Sequence, residues 1–464
     1  MNVRPIIIMG GGPAGVFTAC GLVRLGLSVK IITRPRPFPA WEGLSERSVE
    51  SLRHFGYGET LTAIGPRVAR EAHWNGTSQI QNQEYILNRE KFDQALLKDA
   101  QNKGVQVIEG RIEKLEPRAG QWHISYEIPA GRQDITADFL VEARGREAKL
   151  SHAIRSEGEI GARNRDFTVA PATSALLKSY HVSPELEAGT SVATFPEGWA
   201  WYLLDGQGTA VLQIFVSSEK GELPPKSGLN IFFSELIEKL PQARDWLSGA
   251  VVHDEQVSVR TAAANRTKPV GGKNYLVVGD GSMALDPLSG NGIFYAIGSG
   301  LAAAPVINTL LHRPEHEKQA LQFFQERIDF AFEGGCLMGR EFYASEERWP
   351  EANFWKTRRN WPGNAGVPHP DPLSKPAEIH EKPVVRDGYI ELETVIVTAD
   401  HPRGVWQVDG VPLIELLKSI TDGANDEDNA AKFGVEKKQV ISAYKWLLAR
   451  NLPEIFQKYF GNLS

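Results

Sequence analysis

The sequence predicts a mixed α/β (α+β) chain. A Rossmann-like domain opens it, an antiparallel-sheet layer is inserted into that domain, helices follow, and a small winged-helix-like domain ends it. Three observations carry this prediction. "IIIMGGGPAGVFTACGLVRLGLSVKIIT" reads as strand, tight glycine turn, amphipathic helix and strand. Much later, "VVGDGSMALDPLSGNGIFYAI" again sets a strand and a glycine-rich turn ahead of a helix. Between them, "GTSVATFPEGWAWYLLDGQGTAVLQIFVS" alternates in the manner of strands, with turns at Pro196-Glu197-Gly198 and Asp205-Gly206.

Length and composition bound the possibilities. A chain of 464 residues is long enough for two or three domains with buried cores, and 42% hydrophobic with 23% charged residues is ordinary for globular proteins. A net charge of −6 argues against nucleic acid as a general partner, because phosphate binding needs a basic face. Cys20 and Cys336 form no CxxC pair and read as two free buried thiols of a reducing compartment. "MNVRPIIIMGGG" enters a strand at once, and no apolar run is expected to reach the roughly 18 residues of a membrane span. The expectation is a soluble, cytoplasmic protein.

The first turn has the spacing G-x-G-x-x-G at Gly10, Gly12 and Gly15. Gly10 permits the turn, Gly12 lets a pyrophosphate approach the backbone, and Gly15 lets the helix lie close to the strand. Pro13 and Ala14 complete the helix start, whose free N–H groups and partial positive charge suit phosphates. The second strand ends not in an acid but in Thr33 and Arg34. The threonine hydroxyl can bond a ribose, and Arg34 can reach a phosphate or the adenine.

Further signals follow in order. "WEGLSERSVESLRHFGYGE" sets Arg47 near a helix start, "LNREKFDQALLKDA" sets Arg89 ahead of another, and "ADFLVEARGREAKLS" ends a buried strand at Ala143-Arg144-Gly145-Arg146. Together with the two glycine turns these residues resemble the flavoprotein monooxygenases of the aromatic hydroxylase type and their relatives, the flavin-dependent halogenases and geranylgeranyl reductases. The resemblance covers about the first 360 residues. It implies FAD as cofactor, with Arg47 on the pyrophosphate, Arg89 on the cofactor side, and Gly279 and Asp280 at the ribityl chain. It also implies that the turn Pro287-Leu288-Ser289-Gly290-Asn291-Gly292 aims its amides at the flavin pyrimidine edge. Many hydroxylases carry Asp-Gly where this chain has Arg144-Gly145, so NADH, NADPH or a separate reductase all remain as electron donors.

"GWAWYLL" resembles the W-x-W-x-I-P signature of tryptophan halogenases, with Trp199 and Trp201 in place and Leu203-Leu204 instead of Ile-Pro. The resemblance makes these two tryptophans candidates for the active-site wall; core packing is the other reading. Halogenases of this type use a lysine from the segment before the R-x-x-F-D helix, and here no lysine occurs from Ile31 to Glu90. The expected oxidant is therefore a flavin C4a-hydroperoxide attacked directly by an electron-rich ring. Asp286 is the candidate acid or base, unless it only caps its turn. No GxSxG elbow and no clustered metal ligands compete; His312 and His316 are separated by Pro314 and read as surface residues.

"FYASEERWPEANFWKTRR" resembles the helices that cover the substrate cavity in halogenases. After a proline-rich linker, "GYIELETVIVTA" and "GVWQVDG" read as strands, and apolar stripes at Leu413, Leu416, Leu417, Ile420 and at Val440, Tyr444, Leu447, Leu448 read as helices. From Glu381 onward acids outnumber bases, which disfavours a DNA reader. The arrangement is similar to peptide-recognition domains that add a leader strand to a sheet edge.

The expected organisation is a discontinuous FAD-binding domain (1–75, 86–157 and 262–312), a substrate sheet domain (76–85 and 158–261), a helical cover (313–360), a linker (361–383) and a winged-helix-like domain (384–464). The combination resembles the flavoprotein monooxygenases of quinohemoprotein amine dehydrogenase maturation. That resemblance implies double hydroxylation of a peptidyl tryptophan in the small crosslinked subunit, recognised through the C-terminal domain, during tryptophylquinone biogenesis. A hydroxylase or halogenase of a free small aromatic, a flavin-dependent alkene reductase and a flavin-binding redox regulator are the alternatives.

Overall fold

The computed structural model describes residues 5–36, 38–147, 166–253, 255–363 and 366–452. The expected boundary at 157–158 and the last stretch of the expected C-terminal domain, 453–464, lie outside these. By internal contacts the chain divides into a unit of 1–304 with 328–366 and a unit of 305–327 with 367–464.

In the first unit, Ile6–Met9 is buried at every position because it is a central strand covered on both faces. It pairs in parallel with Val29–Thr33 on one side and Leu140–Glu142 on the other. Gln106–Glu109 and Tyr275–Val277 extend this sheet outward, and Gly271–Gly272 closes one edge antiparallel. The chain leaves Ile6–Met9 toward one edge and later returns on the other side of it. The strand ends at Gly10, Ala143 and Val278 therefore meet at a topological switch point, where α/β sheets bind ligands. A meander of Arg111–Arg118, Gln121–Ile128 and Gly131–Ala137 packs Trp122, Ile124 and Tyr126 against Ile7, Met9 and Tyr275.

The second large sheet of this unit has nine strands. Gly189–Phe195, Gly198–Leu204 and Thr209–Ser217 form the antiparallel meander expected from their alternation, and Thr173–His181, not foreseen, pairs antiparallel with the last of them. Gly189–Phe195 then pairs in parallel with Arg67–Trp74, which carries Thr77–Asn88 and Trp41–Leu44 into the same sheet. Tyr202, Leu212 and Ile214 pack on one face with Leu229–Lys239, a helix that the sequence analysis did not assign. Trp199, Trp201 and Phe215 pack on the other face with Leu288, Tyr343, Phe354 and Trp355. The period of two along Gly198–Leu204 thus sorts its aromatics between two cores.

One expectation needs correcting. Gly292–His312 is a 21-residue helix of mean hydropathy 1.5, long and apolar enough by length and composition to cross a membrane. Its apolar stretch is mostly buried inside the protein, as for a core helix.

In the second unit, Glu378–Arg386 and Tyr389–Val397 form a nine-pair hairpin turned at Asp387-Gly388, both at positive φ. The first of these strands begins inside the stretch expected as linker. Helices Leu413–Thr421, Asp426–Phe433 and Lys437–Leu448 enclose a core of Ile396, Leu413, Leu416, Leu417, Val440, Ala443 and Leu447. The last stripe is therefore Val440, Ala443 and Leu447; Leu448 is exposed. His312 and His316 bond, respectively, Asn308 and the Ile390 carbonyl.

Candidate active site

The first glycine turn is built by close approach. Gly10 has φ +111°, and a Cβ there would lie 2.5 Å from the Ala143 carbonyl oxygen. A Cβ at Gly15 would lie 2.1 Å from the Gly10 carbonyl oxygen, so only glycine lets helix Pro13–Arg24 start so near the strand. A Cβ at Gly12 would meet no protein atom within 4 Å, which leaves that side of the turn open for a phosphate. Pro13 is at the first helical position, and no side chain caps this helix start. Its first N–H groups therefore remain available with the positive end of the helix dipole. Thr33 takes a task inside the protein: its Oγ1 accepts the Gly11 N–H at 3.0 Å and ties the turn to the second strand. Arg34 follows it at the strand end.

The second turn is brought to the first by small residues. A Cβ at Gly300 would lie 2.6 Å from the Ala14 carbonyl oxygen, and one at Gly279 would lie 2.8 Å from Ala14 Cβ. The start of the first helix thus packs nearly backbone to backbone on helix Gly292–His312 at Gly300, and Ala14 also meets the strand end at Gly279. Gly279 is left-handed at φ +58°, with its N–H donated to Ser299 Oγ at 2.9 Å. Asp280 follows in a cradle lined by Gly279, Asp280, Leu285, Gly292, Tyr295 and Ser299. Desolvation by the surrounding protein raises the Asp280 pKa above the usual carboxylate range, against the pull of Arg146, whose Nε is 3.7 Å away. Asp280 nevertheless keeps 44% of its side chain exposed, an opening for hydroxyl donors.

The expected arginines divide in their partners. Arg47 is exposed in the first turn of helix Glu46–His54; burial raises the pKa of Tyr295 in the cradle wall, and Arg47 is close enough to oppose that rise in part. Among the described residues its side chain has no ion-pair partner. Arg89 is buried, donating from Nη1 to Glu42 at 2.5 Å and from Nη2 to Asp93 at 2.9 Å. Arg36 shares Asp93, and this network is near enough to act on Asp280. Arg146 donates to the carbonyls of Ala263 and Leu285, pinning the two segments beside the cradle. Arg144 folds back on buried Glu142 with a 2.6 Å ion pair.

The turn at 287–292 is held at both ends by local hydrogen bonds. Asp286 Oδ1 accepts the Leu288 N–H at 2.9 Å, so Asp286 does cap its turn. Gly290 is left-handed at φ +63°, and Asn291 Nδ2 donates to the Ser289 carbonyl at 2.9 Å before helix Gly292–His312 begins. The cap leaves Asp286 Oδ2 for another partner, Tyr343, whose Oη donates at 2.8 Å. Trp199 Nε1–H donates to the same Tyr343 oxygen at 3.3 Å, and Trp199 stacks on Phe215 with centroids 3.8 Å apart. Burial raises the pKa of the Asp286 carboxyl, opposed by the Leu288 amide and the Tyr343 hydroxyl. Asp286, Tyr343, Arg358, Thr173, Cys336 and Gly339 line one cavity. Burial pushes the Cys336 thiol up to about 12, so it stays protonated.

Trp199 and Trp201 are both nearly buried, and both face the side of the sheet that carries Leu288 of the turn. The structure brings Trp199 to Asp286 through Tyr343 and leaves Trp201 in the adjoining aromatic cluster. Tyr343, Arg146, Arg36 and Ser299 were not foreseen. Tyr343 stood in the aromatic run "FYASEERWPEANFWKTRR", but nothing local distinguishes it from the packing residues around it.

Comparison with known proteins agrees with this architecture. The family model of tryptophan halogenases matches residues 40–368. A solved peptidyl tryptophan dihydroxylase, QhpG, essential for tryptophylquinone cofactor biogenesis, superposes with a TM-score of 0.80 at 35% identity, covering 97% of this chain and 99% of that one. The flavin-dependent halogenase CmlS superposes with a TM-score of 0.72 at 18% identity, covering 98% and 94%, and shares the fold. The tryptophan 2-halogenase of Chondromyces crocatus is 25% identical over 380 residues, 76% of this chain and 70% of its own length. The chain belongs to the tryptophan halogenase family and is a FAD-dependent oxidoreductase of the monooxygenase superfamily that includes it.

Proposed function

We propose that the protein hydroxylates the indole ring of a tryptophan carried in a peptide, twice, in the small crosslinked subunit of quinohemoprotein amine dehydrogenase during tryptophylquinone biogenesis. The observation that carries this reading is the 35% identity over nearly the whole of both chains with a peptidyl tryptophan dihydroxylase. The missing lysine between Ile31 and Glu90 favours hydroxylation over halogenation.

In this reading the helix start at Gly12–Gly15 and Arg47 hold the FAD pyrophosphate, and Gly279 and Asp280 hold the ribityl chain. Thr33, Arg34 and Arg89 border the cofactor, and the turn Pro287–Gly292 faces the flavin ring. Bound FAD supplies the reduction of oxygen and the oxygen atom for transfer, with NADH or NADPH as the electron source. The protein's own part is positioning and proton handling. Trp199 and Trp201 form an apolar wall that excludes water and takes a flat ring. Asp286, fixed by the Leu288 amide and Tyr343, takes a proton from the hydroxylated ring carbon. The hairpin Glu378–Val397 receives the peptide as an added strand.

Intact mass of the small crosslinked dehydrogenase subunit, co-expressed with and without this protein, tests the proposal. A gain of two oxygen atoms on one tryptophan is expected. An unchanged subunit, with flavin bound and reductant supplied, would refute it in favour of a free small aromatic as substrate. Removal of 378–464 is expected to abolish modification of the subunit while leaving flavin bound to the rest; full modification by the truncated chain would discard the peptide-binding role.

A further inference from the structure

Beside the turn at Gly290 lies a pair of charged side chains with no role so far, Arg70 and Glu84. They project from the neighbouring strands Arg67–Trp74 and Thr77–Asn88, whose register shifts between Arg70 and Glu71. Their side chains are 13% and 8% exposed, yet the closest approach, Arg70 Nη1 to Glu84 Oε2, is 4.0 Å, too long for a hydrogen bond. Arg70 Nε and Glu84 Oε1 are also buried with no hydrogen-bond partner among the described residues. Two desolvated charges so loosely joined weaken a fold. Their presence is therefore better explained by the field they create than by stability.

Two glycines show where that field acts. A Cβ at Gly43 would lie 2.0 Å from Glu84 Oε2, so strand Trp41–Leu44 is glycine where it must admit the carboxylate. The nearest atom to a Cβ built at Gly290 is Arg70 Nη1, at 3.7 Å. The guanidinium thus stands near the left-handed residue of the turn at 287–292, with Glu84 Oε2 4.0 Å from its Nη1.

We propose that Arg70 and Glu84 form a charge couple that sets the electron affinity of the flavin. Resting on the FAD reading above, Arg70 favours the negatively charged reduced ring, and Glu84 moderates it. A unit charge in a partly buried site changes such an equilibrium by on the order of tenfold, which for a two-electron couple is about 30 mV.

The test is a reductive titration of the purified holoprotein against a reference dye. Glu84→Gln is expected to raise the two-electron midpoint potential and Arg70→Met to lower it, each by about 30 mV. The double variant is expected to fall between the single ones. A packing role moves both single variants in one direction or neither; either result overturns the proposal. If Arg70→Met does not fold, Glu84→Gln decides alone, because it preserves shape and the predicted sign is positive. A wild-type protein that binds no flavin would overturn the cofactor reading instead, and the titration distinguishes the two failures at its first spectrum.

Discussion

Replacing Tyr343 by phenylalanine removes one oxygen and little volume, so its effects are confined to the two hydrogen bonds of that oxygen. Asp286 loses a charge-assisted hydrogen bond, worth about 1.5–3 kcal/mol, and with it one of the contacts that hold its pKa down, so its pKa rises further. Trp199 Nε1–H, on a side chain that is only 2% exposed, is left without an acceptor, at about 1 kcal/mol or more. The pH dependence separates the two effects. Burial already raises the folded-state pKa of Asp286 above its unfolded value. The folded state therefore binds the proton more tightly, and stability falls as pH rises from the unfolded pKa through the folded one. In Tyr343→Phe this falling limb extends to higher pH. Thermal unfolding of both proteins from acidic to mildly alkaline pH should show a small gap at low pH that widens to about 2–4 kcal/mol above the shifted pKa. A gap independent of pH would show that the Tyr343 bond is not made to a carboxylate, and the proton-handling role of Asp286 would fall with it.

Further predictions concern the glycine turn and the second unit. Gly12 has an ordinary extended backbone and open space at its Cβ position, so Gly12→Leu should fold with an apoprotein melting temperature near wild type but lose the flavin absorbance. Gly15→Val should lose both, because its Cβ would lie 2.1 Å from the Gly10 carbonyl oxygen; soluble, flavin-loaded Gly15→Val protein would contradict the packing described. In the second unit, burial would raise the pKa of Asp400, but bonds from Arg450, Thr398 and His401 outweigh it and hold the carboxyl well below the usual range. Its stabilisation is present above the unfolded pKa and is lost as pH falls through the depressed folded value. Arg450→Ala should therefore destabilise by about 3 kcal/mol at neutral pH, and by progressively less only as pH falls below the unfolded value and on through the depressed folded one. An unchanged loss across that acid range in urea unfolding would exclude that ion pair as the cause.

The cofactor end of the fold was legible because its signals are local. G-x-G-x-x-G is a statement about backbone approach, and a Cβ built at Gly10 or Gly15 runs into the atoms that the spacing implied. The tryptophans of "GWAWYLL" were legible as strand residues, but not the face each would cover. That depended on which neighbours the sheet received, and the parallel pairing of Gly189–Phe195 with Arg67–Trp74 joins segments about 120 residues apart. The apolar run of Gly292–His312 was underestimated because its alanines and glycines are only weakly apolar individually, and its burial is set by the helix it crosses.

By itself the sequence determined the two glycine turns, the helix starts behind them, the alternating strands and the strand Tyr389–Val397 of the second unit, since each is set by φ, by capping or by a period of two or 3.6. Only the tertiary structure decided that Thr33 would tie its turn rather than stand free, and that Arg89 would be held by Glu42 and Asp93. It alone set Tyr343 between Asp286 and Trp199, and Arg70 with Glu84 against Gly290. These side chains come from segments dozens to hundreds of residues apart. Their charge, hydrogen bonding and burial depend on distances of a few ångströms that no local pattern encodes.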